Sequence, residues 1–147
     1  HYILHEVLPL IRHRSHRIDL TVHGCSFGGY HAVNFALRHP DAVTKCVALS
    51  GAFDNRNFLH GHFDELAYLH NPVDYLPNLN DAWHHGHYHG DWFMTLAASN
   101  HDICLGDNYR LAEILGQKHI PHRLDVWNNN LPHDWPLWRQ MARAYFA

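Results

Sequence analysis

A chain of 147 residues, 46% of them hydrophobic, is long enough to bury one core and too apolar to stay disordered. Its formal charge of -3 argues against the basic face that a nucleic-acid partner requires. No apolar run approaches the length of a membrane span, so the reading is of a soluble single domain over residues 1–147 without a membrane partner.

In chain order, residues 1–13 space Ile3, Leu4, Val7, Leu8, Leu10 and Ile11 as an amphipathic helix does, with Pro9 as a kink. A turn is expected over 14–16 and a short strand over 17–23. Gly24, Cys25, Ser26, Phe27 and Gly28 then fit the G-x-S-x-G pattern, in which a sharp turn lifts a serine hydroxyl clear of a sheet. Small residues at 24 and 28 let the backbone make that turn. A helix over 30–39, stopped by Pro40, puts the motif on a strand-turn-helix unit. A phosphate-binding loop would want Lys followed by Ser or Thr at the helix start, where Tyr30, His31 and Ala32 stand.

A second strand over 43–49 is apolar enough to be buried on both faces, as in a parallel sheet covered by helices. Over 52–91 the periodicity fades and Asn, Pro, Gly and His accumulate, which reads as a lid or wall over the elbow with short helices near 56–59 and 63–69. Within it, residues 84–89 hold four histidines. In an extended conformation His85, His87 and His89 would share one side, a conceivable metal site, against the plainer reading of a polar surface loop.

A third strand is expected over 92–98 and a helix over 108–118 with Asp107 as its N-cap. A fourth strand over 122–127 and a closing helix over 135–146 complete the chain. Five tryptophans are read mainly as core or pocket wall. Cys25, Cys46 and Cys104 lack C-x-x-C spacing and read as reduced core or near-core thiols, and the N-terminus lacks an apolar leader, which points to the cytoplasm. The 18 histidines make stability and solubility sensitive to mild acid.

A serine hydroxyl needs a base and an acid, each on a loop at the carboxyl end of a strand. His133 follows the last strand and Asp102 the one before it, giving the chain order Ser26, Asp102, His133. Asp125 lies inside a strand and Asp134 adjoins the base, so both are worse acids.

The stretches 24–40, 49–51 (Leu-Ser-Gly), 101–104 (His-Asp-Ile-Cys) and 133–136 (His-Asp-Trp-Pro), with Trp138, together resemble an esterase family of α/β-hydrolases, of the esterase D and feruloyl esterase types. The resemblance implies a truncated α/β-hydrolase, with a mostly parallel sheet and helices on both faces. It also implies a carboxylic ester hydrolase for small or short-acyl esters that works through an acyl-serine, without metal or organic cofactor. Ser26 would be the nucleophile, His133 the base and then acid, and Asp102 the orienting carboxylate. The Phe27 backbone amide would serve the oxyanion hole, with Tyr30 near the acyl site. Members of the family carry further strands ahead of the first helix, including the loop that supplies a second oxyanion donor. Two expectations follow: a homo-oligomer that covers the exposed strand edge, and, as the rival to an active esterase, a weak or inactive remnant that serves binding or assembly.

Overall fold

Alternating strand and helix patterns place four parallel strands in the order β1-β2-β3-β4. They are β1 (Thr21–Cys25), β2 (Lys45–Leu49), β3 (Phe93–Ser99) and β4 (His122–Trp127). The computed structural model describes residues 1–15 and 19–147; of the strand expected over 17–23, residues 17 and 18 lie outside the described residues, as does residue 16 of the turn expected over 14–16.

Parallel strands need crossovers, and the apolar run of β2 shows what covers them. On one face Cys46, Ala48, Met94 and Leu96 meet Val33 and Leu37 of α2 (Phe27–Arg38) and Leu111 and Leu115 of α6 (Leu105–Gln117). On the other, Val47, Leu49 and Ala97 meet Leu137 and Met141 of α7 (Trp135–Phe146). Alternation along the strands therefore divides the core into two layers, with helices on both faces.

The N-terminal segment departs from the expected helix. A π-helical turn, Ile3–Val7, leads into α1 (Leu8–Arg14), with Pro9 in the first turn of α1 where a missing N–H costs nothing. Of this segment only Leu8 is fully buried; Ile3, Leu10 and Ile11 are exposed.

Residues 52–91 hold two 3₁₀ turns, Asn55–Asn57 and Leu76–Asn78, and three short helices, α3 (Glu65–Leu69), α4 (Pro72–Tyr75) and α5 (Ala82–His87). Phe53, Val73, Leu76 and Tyr88 from this stretch are buried with α2 and α6, and the Tyr88 hydroxyl donates to the Leu37 carbonyl at 2.5 Å. Asn71 ties the segment together, donating to both Asp54 and Asp74.

The histidine-rich stretch is helical rather than extended. Asp81 caps α5 by accepting from the His84 N–H at 2.9 Å, and a cap of this type starts a helix. The imidazoles then diverge: His84 pairs with Asp81, His85 reaches the Leu79 carbonyl, and His87 donates to the Trp83 carbonyl. The extended alignment of His85, His87 and His89 is thereby overturned. The tryptophans also divide, Trp92 being buried while Trp83 and Trp135 are exposed.

Candidate active site

Ser26 stands between the last residue of β1 and the first of α2 at φ 54° and ψ -121°, a left-handed conformation that costs a serine about 1–3 kcal/mol. The surrounding backbone holds it there. Its N–H donates to the Leu49 carbonyl at 2.9 Å, and its own carbonyl accepts from Tyr30 at 3.2 Å and Ala52 at 3.3 Å. Gly24 is required because a Cβ there would lie 2.1 Å from the Gly28 carbonyl oxygen. Gly28 is different: a Cβ on it meets nothing within 4 Å, so its smallness is not what permits the turn.

Asp102 lies in the loop after β3. Its N–H donates to Ser99, its carbonyl accepts from Leu105, and its Oδ1 accepts from the Cys104 N–H at 2.8 Å. These bonds start α6 at Leu105, three residues ahead of the expected start, and leave Asp107 inside the first turn rather than at the cap.

His133 comes from the loop between β4 and α7. That loop is fastened to the end of β3 by Asn100, whose amide nitrogen donates to Asn128 at 2.9 Å and Asn130 at 2.7 Å while its oxygen accepts from the Asn130 N–H at 3.0 Å. Trp138 braces the ring edge-on, centroids 5.1 Å apart.

The three side chains meet through the imidazole. His133 Nδ1 lies 2.8 Å from Asp102 Oδ1, and Nε2 lies 2.8 Å from Ser26 Oγ. A carboxylate can only accept, so Nδ1 carries the proton and Nε2 is left to accept from the serine hydroxyl. The Asp102 side chain is fully buried. The rival acids are occupied elsewhere: Asp134 caps α7 and Asp125 accepts from the Tyr145 hydroxyl.

Phe27 opens α2, where the first N–H groups have no intrahelical partner and face the positive end of the helix dipole. Its exposed ring stacks on Tyr30, centroids 5.3 Å apart and planes 3° from parallel, and abuts Phe58 at 5.0 Å. Tyr30 itself is buried, its hydroxyl donating to the His70 carbonyl at 2.6 Å. It supports Phe27 from below and offers little surface of its own.

Two thiols flank these groups. Burial pushes the Cys25 thiol up, and burial with the charges of Asp102 and Asp107 pushes Cys104 up to about 12. Protonated thiols are poor nucleophiles, which leaves Ser26 as the group with a base at hand. Cys104 is half-buried, in keeping with a near-core thiol, and ligand atoms of Asp102, Cys104 and His133 lie within 4.8 Å of one another. Its place two residues after Asp102 was the available signal. A cleft of about 300 Å³ lies elsewhere, between α5 and the end of α6.

A family model described as "Putative esterase" matches residues 1–141. The chain belongs to this esterase family. No curated protein matches the chain. Among solved structures, a ferulic acid esterase superposes with a TM-score of 0.76 at 19% identity, over 98% of this chain and 57% of that one. The fluorophosphonate-binding serine hydrolase F of Staphylococcus aureus gives 0.76 at 21% identity, over 98% and 60%. An S-formylglutathione hydrolase of Agrobacterium tumefaciens gives 0.76 at 15%, over 98% and 53%. At such identities the likeness is one of fold, and it identifies the sheet with its covering helices as that of α/β-hydrolases. This member of the esterase family spans 57%, 60% and 53% of the length of those three structures.

Proposed function

We propose that this chain hydrolyses small or short-acyl carboxylic esters through an acyl-serine intermediate. The observation that carries the reading is the single imidazole bonded at 2.8 Å to both Ser26 and Asp102, residues from loops 107 and 31 positions away in sequence. As Ser26 Oγ attacks the ester carbon, its proton passes to His133 Nε2, and Asp102 at Nδ1 stabilises the imidazolium that forms. The developing oxyanion takes the Phe27 N–H at the start of α2. Collapse of the tetrahedral intermediate expels the alcohol, which takes the proton from Nε2. A water then repeats the sequence to free the acid and the serine.

The exposed ring of Phe27, supported by Tyr30, provides an apolar floor on the acyl side, and residues 52–91 bound the leaving-group side as a wall or lid. Acyl-serine chemistry tolerates several leaving groups, so thioesters fall within the same reading.

A second reading, a weak or inactive hydrolase fold that serves binding or assembly, is favoured by one observation: among the described residues only the Phe27 amide, at the start of α2, is assigned to the oxyanion. Losing one such donor costs about a hundredfold or more in turnover. Hydrolysis of a short-chain p-nitrophenyl ester decides between the two. On the first reading Ser26→Ala falls by on the order of 10⁴-fold or more, and a fluorophosphonate adds one adduct to the parent alone. Equal rates for parent and variant, with neither labelled, would establish the second.

A further inference from the structure

Cys104 brings to the site a chemical group, its thiol, that the proposed reaction leaves without a task. Its backbone N–H holds Asp102, but its side chain projects into the space shared with His133, where one ligand atom from each of Asp102, Cys104 and His133 lies within 4.8 Å of the others. Oxygen, sulfur and nitrogen donors together form a set that zinc and cadmium prefer over magnesium or calcium. An independent observation points the same way: the Asp102 side chain is fully buried, and its Oδ2 has no hydrogen-bond partner among the described residues. A buried carboxylate oxygen without a partner is costly, and a cation would satisfy it.

We propose that Asp102, Cys104 and His133 form a binding site for a thiophilic divalent cation of the zinc class, and that its occupancy is incompatible with the Ser26–His133 contact. Three protein ligands fit a tetrahedral ion with water or chloride as the fourth, at bonds of about 2.0–2.3 Å, after closing of the donors by a fraction of their present separation. Binding forms a metal–sulfur bond and releases the thiol proton to solvent. At the imidazole the metal takes Nδ1, the nitrogen that faces Asp102 at 2.8 Å, and the proton it displaces moves to Nε2. A ring protonated at Nε2 cannot accept from the serine hydroxyl, so Ser26 loses its base. The surface histidines of α5 are the competing ligands; their rings are separately engaged with Asp81, Leu79 and Trp83.

The binding half of the inference stands without the esterase reading; the inhibitory half rests on it. The test titrates the full chain with cobalt(II) and with zinc, comparing the parent with Cys104→Ser, with Cys104→Ala and with His84→Gln/His85→Gln/His87→Gln. Expected is one equivalent of cobalt giving thiolate-to-metal charge-transfer absorption in the parent and in the α5 variant, and none in either Cys104 variant. Binding should also abolish the downfield proton resonance of His133 Nδ1, a readout that needs no turnover. Zinc should depress ester hydrolysis in parallel, with the concentration for half-inhibition raised about tenfold or more in the Cys104 variants. A parent with no charge-transfer band, or a band that survives loss of Cys104, overturns the site. Zinc binding that leaves the His133 resonance intact overturns the incompatibility. Cobalt binding with the band and no hydrolysis by metal-free protein upholds the site and sinks the esterase reading alone.

Discussion

Two glycines of one motif do different work, because a Cβ at 24 would strike backbone that cannot yield, whereas one at 28 would enter open space. Gly24→Ala is expected to cost about 3 kcal/mol, since relief requires the chain at 28–29 to retreat and the Ser26 turn to open. Gly28→Ala should fold with the parent's stability. Denaturant midpoints for both variants check this, and a Gly24→Ala protein as stable as Gly28→Ala would mean that the turn has slack the structure does not show. The sequence pattern treats the two positions alike; only the distance from Cβ to the Gly28 carbonyl separates them. Cys104 repeats the lesson. Its residue type points to a core or near-core thiol, and only the loop geometry puts its sulfur beside Asp102 and His133.

At the scale of elements, β4 and α7 appear at the boundaries expected for the fourth strand and the closing helix. Local signals likewise put Ser26, Asp102 and His133 on the loops after β1, β3 and β4, since parallel strands send all these loops out at one end of the sheet. Elsewhere competing chemistry moved the boundaries. Asp107 looked like a cap, but Asp102 already secures the Cys104 and Leu105 N–H groups, so α6 starts earlier. The histidine run reads as a polar surface loop because its composition is polar and irregular, although Asp81 three residues before His84 is a helix-start signal. The fastening by Asn100 was not legible, because asparagines at 100, 128 and 130 read as ordinary turn residues until the sheet brings their loops together. It should matter to turnover. Asn100→Ala frees the 128–133 loop from the end of β3, and displacement of His133 by about 1 Å costs up to a hundredfold in rate. Steady-state kinetics should show kcat falling about tenfold to a hundredfold with KM little changed. A fall confined to KM would place the loop in substrate binding instead.

For the molecule as a whole, 18 histidines against a formal charge of -3 make mild acid the condition under which its behaviour changes. His70 gives the sign. Its Nδ1 faces the donors Asn34 Nδ2 and Arg38 Nη1, both at 3.3 Å, and burial with the Arg38 charge holds its pKa below the ordinary value; His39 shifts the same way from burial and Arg38. The unfolded chain therefore takes up these protons first, and stability present at neutral pH is lost as pH falls from about 6.5 through the lowered folded values. Melting should occur at lower temperature at about pH 5.5 than at about pH 7.5, by a modest margin because the His70 ring is partly in solvent, and His70→Gln should flatten the difference. Equal melting temperatures at the two pH values would refute the sign. The other whole-molecule property follows from the strand order. β1 ends the sheet with Thr21 and His23 exposed, and its outer backbone groups have no strand partner among the described residues. Unpaired edges template further strands, and natural edges are blunted by charge or proline, neither of which occurs within Thr21–Cys25. Phe146 leaves nearly half its surface exposed while packing against His23, centroids 4.9 Å apart, so the rim beside the edge is apolar as well. We expect a homo-oligomer formed across this edge. Sedimentation at micromolar concentration should find it, and Thr21→Lys, which sets a charge on the edge without touching Ser26, should shift the population toward monomer. A parent that sediments as a single monomeric species would show that the edge is tolerated unpaired, and the second oxyanion donor could not then come from a neighbouring copy across it.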